Sequence, residues 1–245
     1  MCMYCYLVCN YNKCSYLRLF VNREEMLDKV ISTCNKSNKL LTMEIGSNSD
    51  LILENSITNN LEWTIPNFIE NSNKGFLTFP TKFDMVDPIL NLNHEGRVII
   101  RMSVNPDEII RRVEFGTSNL EKRVIAINKL KAAGYTVGIL IAPIILVDDW
   151  QDKYESLLIY LSENLSADAK KDVFFELILM TYSYIHNAIN HDAFPNAINL
   201  YDKNKMKVRG YGKYAYNDSL RKEAEDFFFS KMKKYFPDNE IKYMV

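Results

Sequence analysis

Apolar runs rich in β-branched and aromatic residues alternate with segments of helical period along almost the whole chain, and this alternation restricts the fold more than any single residue does. Strands are expected at Leu17–Val21, Leu40–Ile45, Gly75–Phe79, Arg97–Ser103, Tyr135–Ala142, Val173–Leu179 and Ile241–Met244. Helices are expected at Arg23–Asn35, Ser56–Asn71, Asp84–Asn91, Asn119–Ala133, Asp148–Asn164, Ser183–Asn190 and Asp218–Tyr235. A chain that alternates in this way joins parallel strands by right-handed crossovers, so the fold class is α/β, a parallel sheet or barrel with outer helices. No repeat, low-complexity tract or linker divides residues 1–245, which are expected to form a single domain.

In such folds the chemistry sits after the carboxyl ends of the strands. Gly46-Ser47-Asn48-Ser49-Asp50 follows one strand, Thr81-Lys82-Phe83 the next, Ser103-Val104-Asn105 ends a third and Ala142-Pro143 a fourth. One mouth therefore collects small hydroxyls, an ammonium and an amide. A lysine directed into such a mouth needs an anionic partner. Elsewhere, Cys2, Cys5, Cys9 and Cys14 crowd the first residues, while Cys34 falls in a helical pattern as a small core residue. A Cys-x-x-Cys pair suits iron–sulfur ligation, a redox dithiol or half of a zinc site. The wider spacing of Cys9 and Cys14 argues against a four-thiolate zinc site.

Charge and hydropathy exclude some classes. No apolar run approaches the ~20 residues of a membrane helix and no signal peptide is evident, so a reducing cytoplasmic location without disulfides is expected. The formal net charge is −1, so nucleic-acid binding would need a local basic surface. Lys203–Tyr216 offers one, with Lys203, Lys205, Lys207, Arg209 and Lys213 interleaved with Tyr211, Tyr214 and Tyr216. His94, His186 and His191 show no spacing that suggests a metal or a base and read as surface or core residues.

Nine segments carry a resemblance in order along the chain: C-M-Y-C-Y-L from Cys2, S-N-S-D at Ser47–Asp50, T-K-F at Thr81–Phe83, S-V-N at Ser103–Asn105, F-G-T-S-N-L-E-K-R at Phe115–Arg123, A-A-G-Y at Ala132–Tyr135, A-P-I at Ala142–Ile144, F-E-L-I at Phe175–Ile178 and G-K-Y-A-Y at Gly212–Tyr216. Together they resemble the spore photoproduct lyase family, radical S-adenosylmethionine enzymes that repair a thymine dimer in spore DNA. The resemblance lacks the family's N-terminal portion, including the first barrel strand and the first cluster cysteine, which would fall upstream of Met1. It implies a partial (β/α) barrel of the radical S-adenosylmethionine type.

By that resemblance, Cys2 and Cys5 would be the second and third ligands of a [4Fe–4S] cluster, with Tyr4 and Tyr6 beside them in a hydrogen-atom relay. Ser49, Lys82, Ser103 and Ala142 match positions that contact S-adenosyl-L-methionine or substrate. Arg209 and Tyr211 are the nearest matches to a substrate-gripping hairpin. A carbon–carbon lyase reaction would follow, in which a 5′-deoxyadenosyl radical takes a hydrogen from a thymine dimer flipped out of damaged DNA. The implied partners are DNA and an electron donor such as flavodoxin or ferredoxin; the enzyme would be a monomer with no membrane association. One position departs from the family: Ser47 stands where a cysteine returns a hydrogen atom to the product radical. A sulfur–hydrogen bond is weak enough for that transfer and an oxygen–hydrogen bond is not. Two alternatives therefore remain beside the repair enzyme: a radical enzyme on the same scaffold with another substrate, and an inactive truncated remnant.

Overall fold

In the computed structural model, residues 2–5, 7 and 19–245 are described. In chain order they form α1 (Arg23–Lys36), β1 (Thr42–Glu44), α2 (Leu51–Thr58), α3 (Asn60–Asn71), β2 (Phe76–Thr81), β3 (Val98–Val104), α4 (Asp107–Val113), α5 (Leu120–Ala132), β4 (Thr136–Ile144), α6 (Trp150–Asn164), α7 (Ala167–Asp172), β5 (Phe174–Leu179), β6 (Thr181–Ser183), α8 (Tyr184–Ala193), β7 (Met206–Val208), β8 (Lys213–Tyr216), α9 (Asp218–Tyr235) and β9 (Ile241–Met244). Six of the strands make one parallel sheet in the order β1-β2-β3-β4-β5-β9, curled into a half-barrel.

The two-residue period of the strands gives this sheet two unlike faces. Phe79, Ile100 and Val137 are register partners, and all three are fully buried among apolar side chains. Burying such a side chain contributes about 1.5–3 kcal/mol, so this face holds the helices in place. Alternate positions place Glu44, Lys82, Arg101, Ser103 and Glu176 on the opposite, concave face. There Gly138 lies against Phe174, whose ring atoms stand 2.4 Å from where a Cβ would project, so any side chain at 138 would displace the ring.

Three expectations fail. Leu19–Val21 form no strand: they are exposed and have no strand neighbour, while Leu17 and Arg18 lie outside the described residues. Ser56–Asn71 is not one helix, because Asn59 adopts a left-handed conformation (φ 49°) and the side-chain oxygen of Asn55 accepts from Leu61 N at 2.7 Å, which turns the chain between α2 and α3. Asp84–Asn91 shrinks to a single 3-10 turn, Asp87–Ile89, since Pro88 lacks an N–H and disfavours helix at the residue before it. Strict alternation also breaks after β5, where β6, β8 and β7 make a small antiparallel sheet in the order β6-β8-β7. Cys34 is buried in α1, as its pattern suggests. Among the described residues no helix is long and apolar enough to cross a membrane.

Candidate active site

Asp50 ties the loop after β1 and the start of α2 to the carboxyl end of β2. Its Oδ1 accepts from Ile52 N (3.2 Å) and Leu53 N (3.4 Å), capping α2, and from the Thr81 hydroxyl (2.8 Å); its Oδ2 accepts from Lys82 N at 2.9 Å. Burial pushes the Asp50 carboxyl up, against the opposing pull of these hydrogen bonds. Ser49 donates to Glu54 Oε2 at 2.8 Å, which holds the loop to α2. Ser47 lies farther out and donates to Glu44 Oε1 at 3.4 Å. Glu44 is ion-paired with Arg101, whose other arm reaches Glu176 at 3.4 Å across the concave face.

Lys82 turns toward this face. Its Nζ donates to the Ser103 hydroxyl at 2.9 Å, that hydroxyl donates to the Ala142 carbonyl at 3.1 Å, and the ammonium stands 5.7 Å from the centre of the Tyr4 ring. It makes no ion pair with a carboxylate among the described residues. Lys82, Ser103 and Ala142 are therefore one hydrogen-bonded chain spanning β2, β3 and β4, as their strand-end positions suggest.

The cysteine segment docks against the same end of the sheet. Met3 N donates to Val113 O at 3.0 Å, Cys2 bridges Glu114, and Cys5 N closes a turn on Cys2 O at 3.1 Å. From the antiparallel side, Asn190 Nδ2 donates to Met3 O and to the Tyr182 hydroxyl (2.7 Å). Burial pushes the His186 imidazole down, opposed by a hydrogen bond with the Cys5 backbone. The Tyr4 hydroxyl donates to Glu114 Oε1. Glu114 also accepts from Asn105 Nδ2 (3.0 Å) and, on Oε2, from Arg123 Nη2 (2.7 Å), with both partners of this ion pair at 0% side-chain exposure. Burial alone would raise the Glu114 carboxyl, but the Lys82 and Arg123 charges and the hydrogen bonds of Tyr4 and Arg123 hold it below the usual range.

Burial pushes the Cys2 thiol up to about 11, the Lys82 charge working the other way. A buried thiol of this kind gains from a bound cation that replaces its proton. Cys2 and Cys5 share one turn and fit two thiolate positions of an iron–sulfur site. Among the described residues no third metal-ligating side chain joins them, so a cluster held by these two thiols would need a further ligand from outside those residues. Tyr6, Cys9 and Cys14 lie outside them as well.

Arg209 and Tyr211 are not part of this constellation. They flank Gly210 at the β7–β8 turn, where Tyr211 is fully exposed with φ 45°. Asn105 stands out in the sequence as the amide that ends a strand at the mouth, whereas Glu114, Asn190 and His186 carry no signal taken singly; for Glu114 the available pointer is the adjoining Phe115–Arg123 segment, which contains Arg123.

The family model described as spore photoproduct lyase matches residues 1–245. Spore photoproduct lyase of Bacillus subtilis (strain 168) is 31% identical over 249 residues, covering 100% of this chain and 72% of the relative. The lyase of Geobacillus sp. (strain Y412MC61) is 30% identical, covering 100% and 73%. Among solved structures, a double mutant of spore photoproduct lyase with bound AdoMet and dinucleoside spore photoproduct superposes with a TM-score of 0.92 at 29% identity, covering 100% of this chain and 73% of the other. A spore photoproduct lyase complexed with dinucleoside spore photoproduct gives the same values.

Proposed function

This chain belongs to the spore photoproduct lyase family, and from that premise we propose that it is a radical S-adenosylmethionine lyase acting on the spore photoproduct, a thymine dimer in DNA. The observation that carries the reading is the convergence of Cys2, Cys5, Tyr4, Lys82 and Ser103 at one end of the half-barrel. Homologous lyases use a [4Fe–4S] cluster and S-adenosyl-L-methionine. Bound here, that pair would supply one electron and, from it, a hydrogen-abstracting radical. Cys2 and Cys5 would hold the iron.

The chain's own residues bind and orient. Lys82, which makes no ion pair among the described residues, offers its ammonium to an anionic or carbonyl oxygen of cofactor or lesion, and Ser103, fixed by the Ala142 carbonyl, aims it. Ser49, held by Glu54, borders the mouth from β1. Tyr4 and, next to Cys5 in the sequence, Tyr6 are the relay candidates. Arg209 and Tyr211 at their exposed turn suit contact with phosphate and base of a DNA strand whose lesion is flipped out. We assign residues 1–245 to one domain that works as a monomer in the cytoplasm and takes its electron from a flavodoxin or ferredoxin.

Ser47 favours a second reading, a radical enzyme of the same scaffold with another substrate, because its hydroxyl cannot replace a thiol as hydrogen-atom donor. Anaerobic reconstitution with iron and sulfide, followed by S-adenosylmethionine, dithionite and dinucleoside spore photoproduct, separates the two. Formation of 5′-deoxyadenosine together with restored dithymidine supports repair, with Ser47→Cys raising the yield of dithymidine per deoxyadenosine. Deoxyadenosine without any dithymidine, in both the parent and Ser47→Cys, favours another substrate. Neither product, from protein that carries iron, sinks the radical reading altogether.

A further inference from the structure

Two parts of the mouth come from distant stretches of sequence, the cysteine segment at one end of the chain and the Lys82–Ser103 pair on β2 and β3. One buried group joins them. Arg123 donates through Nη2 to Glu114 and through Nη1 to the backbone carbonyl of Ser103 at 3.0 Å, while the Ser103 hydroxyl takes the Lys82 ammonium. Glu114, on its other oxygen, receives the Tyr4 hydroxyl and the Asn105 amide. Neither partner has room to reorient. Asn105 Oδ1 accepts from the Tyr154 hydroxyl at 3.1 Å, and Arg123 also donates to Ser118 O (2.8 Å) and Thr117 Oγ1 (2.7 Å).

We propose that Glu114 is the positioning residue of the cysteine segment: by holding the Tyr4 hydroxyl with one oxygen and Arg123 with the other, it sets where Cys2, Tyr4 and Cys5 stand relative to Lys82 and Ser103. The carboxylate is suited to this because a fully buried Arg–Glu pair has one low-energy arrangement, and a hydrogen bond to an ionised oxygen is stronger and shorter than one to a neutral acceptor. The Cys2–Glu114 bridge and the Met3 N bond to Val113 O fix the backbone beside it, so side chain and main chain act at the same point. The inference deepens the reading of this mouth as the reactive end of the barrel and rests on it, but its test needs neither cluster nor substrate.

The test uses the full chain purified without iron. A fluorotyrosine is placed at position 4 and followed by 19F NMR, and alkylation of Cys2 and Cys5 by iodoacetamide is followed by mass spectrometry, with buried Cys34 as internal control. Glu114→Gln, confirmed folded by circular dichroism, is expected to move and broaden the fluorine resonance and to speed alkylation of Cys2 and Cys5 by about tenfold, the cost of one charged hydrogen bond in a local opening. Glu114→Asp should restore part of both. A carboxylate that only stabilised the fold would lower the melting temperature and leave alkylation of Cys2 and Cys5 unchanged in folded Tyr4→Phe, which keeps the Glu114 charge. An unchanged resonance and unchanged alkylation in folded Glu114→Gln would overturn the proposal. Should that variant not fold, Tyr4→Phe removes the same bond while leaving the Arg123 pair intact: faster alkylation of Cys2 and Cys5 supports the proposal, and unaltered alkylation overturns it.

Discussion

Two carboxylate–guanidinium systems serve the same end of this sheet, and they differ mainly in water. Glu114 and Arg123 have no exposed side-chain surface, whereas Arg101 keeps 13% and its partner Glu44 keeps 46%. The buried pair is hydrogen-bonded by Ser103 and Asn105 at the end of β3, by Thr117 and Ser118 before α5, and by Tyr4 of the cysteine segment, so its geometry follows from the packed core. Glu44 and Arg101 are only partly shielded, and water competes for every contact they make. Position is therefore set at the first pair, while the second, which accepts the Ser47 hydroxyl, stands in contact with water. A chain with an altered residue at 47 is more easily tolerated on the wet side than it would be beside Glu114.

The comparison breaks if the two pairs respond alike. Glu114→Ala, which leaves Arg123 buried and uncompensated, is expected to cost about 3–5 kcal/mol in urea denaturation. Asp50→Ala should cost about 1–2 kcal/mol by the same measurement, since it removes the cap of α2 and the ties to Thr81 and Lys82. Glu44→Gln should fall below about 1 kcal/mol; a cost equal to that of Glu114→Ala would erase the distinction drawn above. The smallest effect belongs to Glu155, a surface carboxyl held at about 2 by hydrogen bonds from Lys231, then Tyr235, with help from Lys234. Its folded value lies below the ordinary one, so its contribution is present above about pH 4.5 and is lost as pH falls toward 2. Melting curves of the parent and Glu155→Gln should differ slightly at neutral pH and converge near pH 2.

Much of the sheet is legible in the sequence, because β2, β3, β4 and β5 bury a nearly continuous apolar face and each run stands out from the polar segments around it. The strand-end residues Lys82, Ser103 and Ala142 are legible for the same reason, since a strand's end fixes which residues face the mouth. Glu114 is not. Its meaning depends on Tyr4, 110 residues away, and no local period records a contact of that range. Asn59 reads as an ordinary helical residue until its left-handed backbone divides α2 from α3. The three-residue strands β6 and β7 are too short to display alternation, and their pairing with β8 is decided by tertiary contacts.

The measurement that meets the central claim most directly is equilibrium binding of dinucleoside spore photoproduct to the parent chain and to Lys82→Ala, since it asks whether this mouth is the lesion site without requiring turnover. The account predicts saturable binding by the parent and about tenfold or greater weakening on loss of the ammonium and its charged hydrogen bond. No binding by the folded parent, or a Lys82→Ala variant that binds both the lesion and S-adenosylmethionine as the parent does, would contradict it.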